Sequence, residues 1–162
     1  MSKKNASLAP PLAGFNADPP QRSVPGPSSA PFMTVQLHLA HSSTFVGAGI
    51  IAGGPFRCAE SYRAAAAIAE DALTLNALYV CMNPLIPQAA PNPDKLADVA
   101  RDTAAQGLID GVDNLARQRV YIFTGTEDAV VSSSVVDTTR RFYELLGVPP
   151  SAIRYESTLP AG

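Results

Sequence analysis

Tryptophan is absent from this 162-residue chain, and histidine and cysteine occur only twice each. Charge is sparse as well: 16% of residues are Asp, Glu, Lys or Arg, and the net charge is −2. Each shortage excludes a class of function. Lys and Arg are scattered, with no basic stripe to follow a phosphate backbone, so no nucleic-acid partner is expected. No apolar run reaches the roughly 20 residues of a membrane span, so no membrane partner is expected. The start, Met1-Ser-Lys-Lys-Asn5, has the charge of a signal n-region, but no apolar stretch of about 7–15 residues follows it, and no signal peptide is read. There is no CxxC pair or histidine cluster for a metal. There is also no G-x-G-x-x-G or phosphate loop for a nucleotide. No cofactor or metal is therefore expected. A chain of this length makes about one domain, able to bury about two-thirds of its unfolded surface. With no Trp and much Ala, its core should be built of small side chains.

What the chain does have is a Pro-rich beginning. Residues 1–31 hold seven of its fifteen prolines, so residues 1–22 read as an extended arm and residues 23–162 as the folded domain. A short strand (Gln21–Val24) precedes Gly26-Pro27-Ser28-Ser29-Ala30, and a helical run over 32–42 follows, with Phe32, Val35 and Leu39 and also Met33, Leu37 and Ala40 at spacings of three and four. Strand, tight turn with serine, then helix is the layout of a nucleophile elbow, although the last position of G-x-S-x-G is Ala30 here. The bend would lift the Ser28 hydroxyl above the sheet, and the helix start would turn backbone N–H groups toward an oxyanion. The competing reading is a plain Gly/Pro/Ser turn.

Further along, Phe45–Ala52 reads as a buried strand closed by Gly53-Gly54-Pro55. Residues 60–80 are Ala-rich and read as helix. Pro84–Pro93 reads as a loop, and Asn92 caps a helix with Pro93 at its first position and Gly107 past its end. Leu96, Val99, Ala100, Thr103 and Ala104 give that helix an apolar face. Arg119–Thr124 reads as a strand, Ser134-Val-Val-Asp137 as a capping box opening a helix, and Ile153–Ser157 as a last strand. Strands alternating with helices predict an α/β fold with a mostly parallel sheet and flanking helices.

Sites in such sheets lie beyond the carboxyl ends of the strands. An acid after the strand Arg119–Thr124 suits a Ser, acid, His order. Asp128 fits, with Glu127 as competitor and a turn role as the structural alternative. His38 and His41 lie on the helix after Ser28. His38 is ten residues on, about 15 Å along a helix axis, too far to hydrogen-bond the Ser28 hydroxyl. Both read as exposed or helix-terminal residues. Cys58 and Cys81 read either as two buried thiols or as one disulfide.

Longer segments carry a resemblance. Phe15 to Thr44, Gly47-Ala-Gly-Ile-Ile-Ala-Gly-Gly-Pro-Phe-Arg-Cys58-Ala, Tyr79-Val-Cys81-Met-Asn-Pro84 and Val120-Tyr-Ile-Phe-Thr-Gly-Thr-Glu-Asp128 are similar to extracellular short-chain polyhydroxyalkanoate depolymerases, the poly(3-hydroxybutyrate) depolymerases whose lipase box lies near the N-terminus. The resemblance spans nearly all of residues 15–162. It implies part, about half, of a circularly permuted α/β hydrolase that cleaves polyester bonds through an acyl-enzyme. Ser28 would be the nucleophile, Ser29 an oxyanion N–H donor and Asp128 the triad acid. It also implies a Cys58–Cys81 disulfide, secretion, and a polyester polymer or oligomer as substrate. The family pattern is like Ser-Gly-Leu-Ser-Ser-Gly-Ala, and Pro25, Pro27, Ala30 and Pro31 depart from it. The family histidine follows a segment like Thr158-Leu-Pro-Ala-Gly162, so the competing expectation is a truncated, inactive remnant, self-associating through an exposed sheet edge. A small-molecule-binding α/β module is a third reading.

Overall fold

The fold was described from a computed structural model of the chain, which describes residues 21–27, 29–62, 72–86 and 89–162, with the backbone alone at Pro27 and Ser29. Most of the Pro-rich arm, Ser28 itself and part of the Ala-rich segment lie outside the described residues.

Four parallel strands form one sheet in the order β1-β2-β3-β4, which is also their order in the chain. They are β1 (Arg22–Pro27), β2 (Phe45–Ile51), β3 (Arg119–Phe123) and β4 (Ile153–Glu156). Val24 pairs with Ala48, Ala48 with Val120, and Val120 with Ile153. Being parallel, all four strands end on one side, and the chain after each leaves from there. Helices α1 (Ser29–Ala40), α4 (Pro93–Ala105) and α5 (Ser133–Leu145) join the sheet to make the core, with the short helices α2 (Cys58–Ser61) and α3 (Ala72–Asn76) nearer the carboxyl end. Ile50, Val120 and Ile122 are buried with Val35, Leu39, Leu96, Val135 and Phe142. The other sheet face carries Ile51 and Tyr121, both exposed. The expected α/β architecture is thus observed.

Several expectations are refined. Strand β1 runs on through Pro25-Gly26-Pro27 instead of stopping at Val24. Proline is tolerated in an edge strand, and two prolines two residues apart lose their donors on the same side, the side turned from β2. Among the described residues of the Ala-rich region, α2 ends before an extended Tyr62, and α3 is followed by a π-helical turn over Ala77–Met82, where one helix was expected over 60–80. Helix α4 starts as expected: Asn92 Oδ1 accepts from Lys95 N at 3.0 Å with Pro93 next. Its buried face includes Ala97 beside Leu96, Ala100 and Thr103. Gly107 follows it with φ +71°, a left-handed conformation that favours glycine. The cap of α5 is Ser132, not Ser134. Ser132 is extended (φ −58°, ψ 137°) and its side chain accepts from Ser134 N, whereas Ser134 is already helical.

Both histidines were expected to be exposed or helix-terminal. His41 is exposed, but His38 is wholly buried. Tyr143 Oη stands 2.9 Å from His38 Nδ1, and His38 Nε2 faces Gln118 Oε1. An amide oxygen only accepts, so the ring proton sits on Nε2 and Tyr143 donates to Nδ1. Gln118 Nε2 passes the chain on to the Ser42 carbonyl. Every polar atom of this buried group is paired, which is what makes it affordable.

Candidate active site at the carboxyl end of the sheet

Strand β1 ends at Pro27 and α1 begins at Ser29, so the bend between them falls at the carboxyl end of the sheet. Gly26 is what lets strand and helix meet so closely. A Cβ there would stand 2.6 Å from Thr34 Oγ1 and 2.8 Å from the Ala30 carbonyl carbon. The sequence supplies no side chain at a position that has no space for one. Ser28 lies outside the described residues, so its side chain carries no geometry here; its neighbours fix only the end of the sheet from which it leaves.

Asp128 follows β3 and therefore shares that end. Its Oδ1 accepts from Val130 N at 2.8 Å and Val131 N at 2.9 Å. This is the turn role foreseen for it, and it still leaves the other carboxylate oxygen without a recorded partner among the described residues. Glu127, the competing acid, is exposed. The loop that carries both is braced by the chain after β4. Thr126 N donates to Leu159 O at 3.0 Å and Glu127 N to Ala161 O at 3.1 Å. Gly125 makes room for that approach, because a Cβ there would overlap the Ala161 carbonyl.

Between these loops lies a cavity of about 710 Å³. Phe32, Met33 and Gln36 line it from the first turns of α1, Ile51 and Ala52 from the end of β2, and Asp128, Val130 and Val131 from the acid loop. A mostly apolar hollow, with the Asp128 carboxylate and the Arg57–Glu60 ion pair at its wall, suits a largely apolar substrate with few polar atoms. Two non-glycine residues near this end are held in left-handed conformations, Ala52 (φ 58°) and Arg57 (φ 49°). Such strain persists only where surrounding structure enforces it. Here Ala52 N donates to Phe123 O, and Arg57 N to Gln36 Oε1. Cys58 and Cys81 are joined in a disulfide with Cα atoms 6.0 Å apart, and both line the cavity. It ties α2 to the π-helical turn. The sequence reading missed Gln36, Ala52 and that turn; only the GGP signal after β2 hinted at a special backbone there. Neither histidine reaches the cavity, since His38 is enclosed by Tyr143 and Gln118 and His41 lies past the last turn of α1.

No protein-family model matches the chain. A poly(3-hydroxybutyrate) depolymerase of Delftia acidovorans is 39% identical over 151 residues, covering 93% of this chain and 28% of that protein. A polyhydroxybutyrate depolymerase of Talaromyces funiculosus is 29% identical over 127 residues, covering 78% of this chain and 32% of that protein. The chain thus spans about a third or less of the curated relatives it matches. Among solved structures, the PHB depolymerase from Penicillium funiculosum superposes with a TM-score of 0.69 at 27% identity, covering 91% of this chain and 41% of that one. A PHB depolymerase variant complexed with an R3HB trimer superposes with a TM-score of 0.68 at 26% identity.

Proposed function

We propose that this chain, a relative of the poly(3-hydroxybutyrate) depolymerases, carries part of the catalytic machinery of a carboxylic ester hydrolase acting on short-chain polyhydroxyalkanoates. Ser28 attacks the ester carbonyl to form an acyl-enzyme, and the Ser29 N–H at the start of α1 stabilises the oxyanion. Asp128 orients the base and stabilises its imidazolium. The observation that supports this most is the shared cavity. The acid at its wall and the opening turn of α1, one residue beyond Ser28, lie at the same end of a parallel sheet. By the family resemblance the base follows a segment like Thr158–Gly162, whose Leu159 and Ala161 carbonyls are hydrogen-bonded along the acid loop. The bound trimer in the structural relative supports an oligomeric or polymeric polyester as substrate. The Cys58–Cys81 bridge supports an oxidising, extracellular setting.

A second reading, polyester binding without turnover, is favoured by the two histidines, neither of which stands at the cavity. Hydrolysis of p-nitrophenyl butyrate and of a 3-hydroxybutyrate trimer separates the two. Release of product by a protein that continues through the base, abolished in Ser28→Ala, supports the hydrolase. Trimer binding without product supports the second reading.

A further inference from the structure

The π-helical turn Ala77–Met82 has no counterpart in the proposed reaction, yet it touches the acid loop directly. Its wide geometry is explicit: Asn83 N donates to Leu78 O, five residues back, at 2.9 Å. Turns of this kind are rare and often mark functional sites. As at any helix end, its last carbonyls lack partners within the helix. The Met82 carbonyl finds one outside, accepting from Ser132 N at 2.8 Å. Ser132 directly follows Val130 and Val131, the two residues whose amides hold Asp128 Oδ1. One residue before Met82, Cys81 is bolted to Cys58 of α2 and is itself buried. The neighbouring Gly54 packs so near that a Cβ would stand 3.1 Å from the Cys81 carbonyl oxygen. A short path thus runs from the disulfide through Met82 and Ser132 to the amides gripping the carboxylate. Val131 is buried at the join.

The geometry points to a positioning role: the π-helical turn is the seat of the acid loop, and the Met82 carbonyl, by holding Ser132 N, sets where the Asp128 carboxylate stands. This rests on the hydrolase reading for its consequence in catalysis, but not for the contact itself. Ser132→Pro tests it, because Ser132 already has a φ of −58° that proline accepts, and the substitution removes the donor. Ser132→Ala keeps the amide and removes only the cap. Amide hydrogen exchange at Val130 and Val131 is the primary readout. In Ser132→Pro these two amides exchange at least about tenfold faster, with Ile50 and Ile122 unchanged; in Ser132→Ala they stay slow. In an enzyme that turns over p-nitrophenyl butyrate, Ser132→Pro also lowers kcat about tenfold while KM holds, a split that general loosening would not give. Unchanged exchange at Val130 and Val131 in a folded Ser132→Pro protein overturns the proposal. Should Ile50 and Ile122 lose protection too, the paired Cys58→Ala, Cys81→Ala protein decides: faster exchange at Val130 and Val131 alone supports the seat, and parental rates overturn it. Absence of ester hydrolysis by a parent that carries the base counts against the hydrolase reading and leaves the exchange result to judge the seat.

Discussion

The two ends of the sheet are built on different principles. At the amino end, where α1 finishes, a histidine, a tyrosine and a glutamine are buried and paired with one another. At the carboxyl end the contacts are largely backbone to backbone, two non-glycine residues hold left-handed conformations, and a cavity of about 710 Å³ remains. One end buries a polar group whose side chains satisfy one another. The other keeps a carboxylate, a helix start and an apolar hollow within reach of each other, and relies on a disulfide and close-packed glycines to hold them. Binding residues on loops carried by a rigid scaffold follow this division.

The contrast is sharpest if damage at the two ends differs in kind, and the largest effect should fall at the carboxyl end. Ser28→Ala removes the proposed nucleophile and should abolish measurable esterase turnover, with the midpoint of urea unfolding unchanged. An equal loss of both would place Ser28 in the fold instead. Asp128→Asn keeps an oxygen for the Val130 and Val131 amides but loses the charge. In a protein that carries the base it should lower kcat by about a thousandfold to ten-thousandfold, the scale of the equivalent change in serine proteases, with stability nearly intact.

At the amino end the effect should be on stability and pH. Burial pushes the His38 pKa down from 6.5 to about 4, partly opposed by its bond to Gln118. The folded protein thus refuses a proton that the unfolded chain accepts. Stability should be full above about pH 6.5 and fall as the pH drops toward about 4, by at most about 3 kcal/mol. Urea unfolding of the parent and of His38→Gln across that window measures it; the same slope in both would remove His38 as the cause. Of similar size, loss of the Cys58–Cys81 bridge, which spans 23 residues, should cost about 3 kcal/mol in the chain-entropy account. The smallest effect belongs to neither end. The exposed Arg101–Asp98 pair should be worth under about 1 kcal/mol, and Asp98→Ala, which leaves the Arg101 bond to the Leu145 carbonyl in place, should shift the unfolding midpoint only slightly.

Much of the fold was legible in the sequence because its signals are local. Apolar β-branched runs marked β2 and β3, and Asn92-Pro93 with Gly107 marked the ends of α4. The site was legible in part: a serine at a strand–helix bend and an acid after a later strand imply one end of a parallel sheet without any coordinates. What escaped was settled by tertiary contacts. Counting apolar residues on α1 favours Met33 and Leu37, yet both are exposed, and the helix buries Thr34 and His38 beside Val35 and Leu39. Thr34 fits because Gly26 lies opposite, and His38 because Gln118 and Tyr143, far along the chain, supply its partners. Ser134 resembled a cap, but the Met82 carbonyl fixes Ser132 outside the helix. The π-helical turn leaves no periodic trace, since one added residue per turn is invisible among alanines and leucines.

The proposed chemistry turns on which hydroxyl is reactive. Treating the protein with a fluorophosphonate and mapping the adduct by peptide mass spectrometry reads this directly. The adduct is predicted on Ser28, absent in Ser28→Ala and much slower to form in Asp128→Asn. An adduct on a different residue, or labelling of Ser28 that ignores the loss of the Asp128 charge, would contradict it.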